Sequence, residues 1–286
     1  MGNIGCGSGG RRSVFIATAL AAWLGSAGVS AGTLDGREPL PDLEGLSPEA
    51  QGLAIFEEKD RRESGYEDLQ VDLEMVLRDR RGSEARRELS ISQLEMADDG
   101  DRLLVVFDMP KPIRGTALLS YSHVEGPDDQ WLYLPAQSRV KKIASRNKSG
   151  PFLSSEFAYE DLALQEVEKY DYRLLGREAC GDAQCLRVER VPRDEFSGYS
   201  RQEVLLHEPT LRVERIDFFD RHDRPLKVLT NDGYRLHQER YWKPQRMFME
   251  NLQTGKTTEL LWREYQFANG LEADRDFSTN SLMRAR

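Results

Sequence analysis

The chain is short of positive charge: 40 Lys and Arg face 49 Asp and Glu, a formal net charge of −9 over 286 residues. Nucleic acid needs an excess of bases against its phosphates, so DNA and RNA are excluded as partners. With 39% hydrophobic and 31% charged residues, the chain is too polar for a multi-span membrane protein and too apolar for disorder. Its 23 glycines and 12 prolines are ordinary, which excludes collagen-like and low-complexity classes. Reactive patterns are scarce too. His207, His222 and His237 recur at regular intervals, but no close His pair and no HExxH stands ready to hold a metal. No GxSxG elbow is present in the body of the chain. Gly255-Lys256-Thr257 ends like a phosphate-binding loop, yet Glu250 stands where its first glycine belongs and the segment joins strands. Nothing points to an enzyme, a cofactor or a metal.

Residues 1–31 hold Arg11 and Arg12 but no acid, then an uncharged apolar run from Val14 to Leu24 and small residues ending Val29-Ser30-Ala31. This predicts an export signal cleaved after Ala31, the alternative being an uncleaved anchor. The paired arginines hint at the twin-arginine route, leaving Sec and Tat both open. Cys6 precedes the apolar run and cannot be a lipidated cysteine at its end. After cleavage only Cys180 and Cys185 remain, flanking the turn-like Gly181-Asp182-Ala183-Gln184. In an oxidising compartment they read as one structural disulfide across a hairpin, which leaves no free thiol as a nucleophile.

Residues 32–46 read as a flexible lead-in, and 47–286 as a single domain. Ser47-Pro48-Glu49 opens a helix, with Ser as N-cap and Pro at the first helical position. Ala50, Leu53, Ala54 and Phe56 form its apolar face, and it should end near Gly65. Strand patterns dominate afterwards: Leu69, Val71, Leu73, Met75 and Leu77 alternate with mainly polar neighbours. Further strands are expected at 89–94, 103–107, 117–123, 130–134, 139–143, 170–176, 185–191, 203–207, 211–219, 226–229, 234–241, 246–252 and 257–267. Short turns between them, such as Asp98-Asp99-Gly100 and Thr254-Gly255, imply an antiparallel meander. Leu103 to Phe107 and Trp131 to Leu134 are apolar on both faces, so the outer face needs a cover that the sequence does not identify.

Two segments stand out. Arg139, Lys141, Lys142, Arg146 and Lys148 form a basic cluster in an acidic protein. They either meet anionic headgroups or an acidic partner, or make a solvated sheet edge. The following Ser149 to Tyr159 stretch mixes small residues with Phe152, Leu153, Phe157 and Tyr159. It is either a mobile lip over a cavity or a loop packed on the sheet. Trp131 and Tyr133 share one face of their strand and Leu132 and Leu134 the other. The aromatic pair is expected to line the concave interior beside Phe107, Phe152 and Phe157, against the alternative of a filled core.

The order of motifs resembles the LolA-like, outer-membrane lipoprotein-sorting family. The resemblance is carried by Met109-Pro110-Lys111-Pro112-Ile113-Arg114-Gly115, by Gln130-Trp131-Leu132-Tyr133-Leu134-Pro135, and by Arg139-Val140-Lys141-Lys142-Ile143. Lys148-Ser149-Gly150-Pro151-Phe152, Ser155-Glu156-Phe157-Ala158-Tyr159 and Trp242-Lys243-Pro244 continue it, over roughly residues 50–283. It implies a mainly β fold with a few helices: a half-open, strongly curved antiparallel β-barrel whose helices plug the concave side. It further implies a periplasmic carrier of a lipid or lipidated protein, with an RND-type membrane transporter as a partner of many similar proteins. The alternative is a docking protein of such an exporter with no ligand of its own.

Overall fold

The computed structural model describes residues 39–181 and 183–284. The export signal at 1–31, its cleavage after Ala31 and the start of the lead-in lie outside the described residues. The chain runs through α1 (Pro48–Glu63), β1 (Asp68–Arg78), β2 (Glu84–Leu94), β3 (Arg102–Met109), β4 (Ala117–Tyr121), β5 (Asp129–Leu134) and β6 (Arg139–Lys142). After a long irregular crossing at 143–169 come β7 (Tyr170–Cys180), β8 (Ala183–Pro192), β9 (Tyr199–His207), β10 (Val213–Asp220) and β11 (Pro225–Asp232). Then follow β12 (Arg235–His237), β13 (Tyr241–Lys243), β14 (Arg246–Asn251), β15 (Thr257–Phe267), α2 (Ala273–Asp276) and α3 (Thr279–Leu282).

Thirteen of these strands make one antiparallel sheet, ordered β6-β5-β4-β3-β2-β1-β15-β14-β11-β10-β9-β8-β7. It is two meanders, one spreading outward from β1 and one returning inward from β7, joined where β15 pairs with β1. The crossing at 143–169 therefore travels from one edge of the sheet to the other. Its hydrogen bonds measure how strongly the sheet bends. Gln130 on β5 donates to the Tyr159 carbonyl at 2.7 Å, and Tyr199 on β9 donates to Asp161 at 2.8 Å. Tyr159 and Asp161 lie at most ~7 Å apart along the chain. Strands nine places apart in a flat sheet would be ~43 Å apart. The sheet therefore curls until both flanks meet the same short segment.

The curl does not close, which corrects the expectation of a barrel. Edge strands β6 and β7 do not pair with each other, and side chains of the crossing bridge the gap instead. Lys148 and Lys169 both reach Asp128 ahead of β5, and Glu160 accepts from Ser197 Oγ at 2.7 Å and Gly198 N at 2.9 Å ahead of β9. The expected strand at 234–241 is likewise two short strands, β12 and β13, paired only with each other. Gln238 and Glu239 take φ of +49° and +58°, a left-handed pair that folds the chain back on itself. The expected disulfide is present: Cys180 and Cys185 are joined across the β7–β8 turn with Cα atoms 5.8 Å apart.

Helix α1 is capped as the sequence predicts, Ser47 Oγ accepting from Ala50 N at 3.2 Å. Its buried residues are Gly52, Ile55, Phe56 and Arg62, whereas Leu53 is 40% exposed. Gly52 explains the departure, because a Cβ there would stand 2.7 Å from the Arg173 amide nitrogen. The helix thus rests backbone-first on β7, and Leu53, ~100° further round, turns outward. Phe56 stacks on Tyr172 of β7 with ring centroids 4.5 Å apart. Among the described α-helices, α1 is the one that covers the inner face, where the crossing adds Phe152 and Phe157. The short α2 and α3 supply the outer cover: Phe277 and Leu282, both fully buried, pack over Val106, Ala117 and Leu119. Asp68 anchors that tail, accepting from Asn269 N and Nδ2, Gly270 N and Leu271 N at 2.7–3.1 Å.

Three carboxyls on and beside the crossing make stability depend on pH. Burial pushes Glu160 up to about 7, reinforced by Asp161. Burial pushes Glu166 up to about 7, and Asp101 beside it up to about 6. A raised carboxyl pKa means the folded state holds protons that the unfolded chain releases above pH ~4. The stability these groups contribute is complete below that value and is lost as pH climbs through 6 to 7. The Tm at constant ionic strength should therefore fall between pH 5.5 and 8, and Glu166→Gln should flatten part of the slope. A Tm that stays level or rises over this range contradicts the assignment.

Candidate functional site

Between the curled sheet, α1 and the β12–β13 hairpin lies a cavity of ≈ 300 Å³. Strand alternation supplies its main wall: Leu69 and Val71 of β1, Ile91 and Gln93 of β2, and Leu103 of β3 all line it. Leu260, Trp262 and Tyr265 of β15 continue this wall. Trp262 and Tyr265 are three apart and should face opposite ways. A bulge between the Val71–Tyr265 and Leu73–Trp262 pairs resets the alternation, so both reach the cavity. Their rings stack with centroids 5.9 Å apart. The hairpin contributes Trp242 and Lys243, α1 contributes Lys59 and Glu63 one turn apart, and the crossing lays Phe157 and Asp161 to Leu164 along the floor. A second, smaller cavity beside the β1–β2 turn is lined mainly by polar residues such as Arg78, Asp79 and Glu84.

Few charges enter the apolar cavity, and most are matched. Lys59 Nζ meets Glu63 at 2.7 Å. Asp161 meets Lys227 at 2.6 Å in a pair whose side chains are 7% and 4% exposed. Burial pushes the Glu63 carboxyl up, but Lys59 and Lys243 outweigh it and leave it below the ordinary glutamate value. Burial pulls the Lys243 ammonium below the ordinary lysine value, with Glu63 offsetting part of the shift. Some polar groups on the walls are tied to backbone: Tyr234 donates to Val213 O at 2.5 Å, and Tyr265 to Pro244 O at 2.7 Å. Among the described residues, six buried side-chain polar atoms lack a hydrogen-bond partner, and three of them, Asn231 Oδ1, Trp242 Nε1 and Trp262 Nε1, belong to lining residues.

Of the five aromatics expected at the cavity, Phe157 lines it. Phe107 and Phe152, both fully buried, pack on each other at 5.7 Å in the same core. Trp131 and Tyr133 lie on the other face of the sheet, partly buried against the cluster that Phe277 and Leu282 cover. Leu132 and Leu134 take the inner side, which corrects the expectation for this strand: the tail's apolar residues draw the two rings outward. The 149–159 stretch is packed down, with Phe152 N bonded to Phe157 O at 2.7 Å and Arg87 donating to Leu153 O at 2.7 Å. In the basic cluster Arg139, Lys141, Lys142 and Arg146 are exposed on or beside edge strand β6, with Lys142 paired to Asp129 at 2.6 Å. Lys148 departs from the expected contact surface: it is 5% exposed and its ammonium bonds the Asp128 carbonyl. Sequence reasoning missed Trp242, Lys243, Trp262 and Tyr265, although Trp242-Lys243-Pro244 was visible as a motif.

A family model described as "Uncharacterized protein" matches residues 99–284. An outer membrane lipoprotein-sorting protein domain from Vibrio parahaemolyticus is 43% identical, with 82% of this chain and 99% of that one covered and a TM-score of 0.80. A DUF1329 family protein from Desulfovibrio piger is 28% identical over 82% of this chain and 99% of its own, with a TM-score of 0.77. A LolA superfamily protein from Nitrosomonas europaea shares the fold at 19% identity and a TM-score of 0.65, with 80% and 98% covered. No curated protein matches the chain.

Proposed function

Since the chain belongs to the LolA-like, outer-membrane lipoprotein-sorting family, we propose that it is a periplasmic carrier that holds an acyl chain of a lipid or lipidated protein. The observation that carries this reading is the ≈ 300 Å³ cavity walled by the inner face of the sheet. That volume stands at the lower end of the ~300–1,000 Å³ range of small-molecule pockets. The roughly ten methylenes of an acyl chain that such a volume can hold gain about 8 kcal/mol gross at ~0.8 kcal/mol per buried CH₂, which drives binding against ordering costs. Release then requires one wall to move, and the β12–β13 hairpin suits that role because it pairs with no strand of the main sheet. Denaturing mass spectrometry of protein purified from the periplasm should reveal co-extracted lipid. Protein that is consistently lipid-free contradicts carriage.

Coupling to an RND-type exporter is the finer part of this proposal and draws on the exposed bases along β6. An edge strand carrying lysines resists pairing with other sheets and leaves its charge available to an acidic partner. Reversing Arg139, Lys141 and Arg146 to glutamate should abolish co-purification with the transporter while leaving lipid content unchanged. Retained co-purification rules this surface out. Lys148 is kept out of the test because its buried ammonium holds the crossing in place.

A further inference from the structure

The ligand's head group can be read from what the cavity walls leave unpaired, an argument that rests on the carrier reading above. Two carboxylates line the cavity and each has a cation in contact: Glu63 has Lys59 at 2.7 Å and Asp161 has Lys227 at 2.6 Å. Lys243, also on the wall, makes neither a hydrogen bond nor an ion pair among the described residues; its ammonium lies 5.3 Å from the Tyr66 ring centroid. Once these pairs are matched, Lys243 is the one lining cation without an acid in direct contact, with Glu63 and Glu95 acting on it only at longer range. The unpaired hydrogen-bonding atoms lean the same way. Trp242 Nε1 and Trp262 Nε1 are donors without acceptors, whereas Asn231 Oδ1 is the lone unpaired acceptor among the lining residues. Indole nitrogen can only donate, and buried donors without partners are rare enough to need an explanation.

We propose that the cavity selects amphiphiles with an anionic head, a carboxylate or a phosphate on an acyl or alkyl chain, and that Lys243 receives that head. The chain lies along Val71, Leu103 and Leu260, and the head seats at the hairpin wall, where Trp242 and Trp262 are the neighbouring donors. An arriving anion supplies the counter-charge that Lys243, half-buried on the cavity wall, lacks in direct contact. A cationic head finds both lining carboxylates engaged, and a neutral head leaves Lys243 unpaired.

Four C12 probes differing only in their heads test this on the full mature protein, each kept below its micellar concentration: laurate, dodecyl phosphate, dodecanol and dodecyltrimethylammonium. At least one anion should bind ~10-fold or more tightly than dodecanol, with the cation weakest, the range expected for hydrogen bonds to charged groups. Whichever anion binds tighter identifies a fatty-acid carboxylate or a lipid phosphate as the natural head. Lys243→Met should bring the anions to the level of dodecanol, with an unshifted thermal melt and retained dodecanol binding showing that the protein is folded and the cavity open. Lys243→Arg should keep the preference. Equal binding of laurate, dodecyl phosphate and dodecanol to the native protein, or a preference that survives Lys243→Met, overturns the head-group inference and leaves carriage standing. Failure of all four probes to bind overturns both.

Discussion

Lys227→Met should lower the unfolding free energy by about 3–5 kcal/mol and strip the protein of bound lipid. The ammonium of Lys227 is held by Asp161 at 2.6 Å and by the Glu156 carbonyl at 2.9 Å, over the rings of Phe218 and Tyr199 at 4.9 and 5.1 Å. Asp161 also accepts from Ala158 N at 2.7 Å and from Tyr199 at 2.8 Å. Methionine keeps the unbranched stem as far as Cε but removes the ammonium, so a carboxylate is left buried without its cation. The damage reaches function because Asp161 belongs to the floor of the cavity and to the segment that ties β5 to β9. Urea denaturation gives the first quantity and lipid mass spectrometry the second. The double variant Lys227→Met/Asp161→Leu should lose less stability than the single one, since no charge is then stranded. A single variant within about 1 kcal/mol of the native protein would show that water or another group neutralises Asp161, contrary to this account.

What the sequence disclosed was local. The strand pattern of β1, the Ser47-Pro48 cap and the cysteine-flanked turn of β7–β8 depend on periodicity or on residues a few places apart. What it withheld was set across long distances. Alternation groups Trp131 with Tyr133, but which pair faces inward is decided by Phe277 and Leu282 far downstream. The place of Leu53 depends on the close approach of Gly52 to Arg173, and that of Lys148 on a carbonyl at Asp128. The cavity's aromatic wall was hidden by a bulge, because strict alternation puts Trp262 and Tyr265 on opposite faces. A signal was nevertheless present. Tyr234, Trp242, Trp262 and Tyr265 concentrate large rings in one stretch of chain around Lys243.

Ala163→Trp should abolish lipid uptake while leaving the protein folded. Ala163 lies on the cavity floor between Leu162 and Leu164 and is 9% exposed. A side chain enlarged at that point grows into open space, occupies the path of the acyl chain, and replaces ligand contacts with its own. The stability change should therefore stay within about 1 kcal/mol, in contrast to the usual cost of about 1–3 kcal/mol for overpacking a filled core. Ala158→Trp is the matched control: Ala158 is 6% exposed in the same crossing but is not among the lining residues. There the added ring has no cavity to enter and the overpacking cost should appear in full. Chain binding should drop at least ~100-fold in Ala163→Trp, since excluding even four methylenes removes about 3 kcal/mol of burial. Thermal melts and laurate titration of the two variants separate the effects. If folded Ala163→Trp still carries lipid at the native ratio, the acyl chain does not occupy this cavity and must lie elsewhere on the curled sheet.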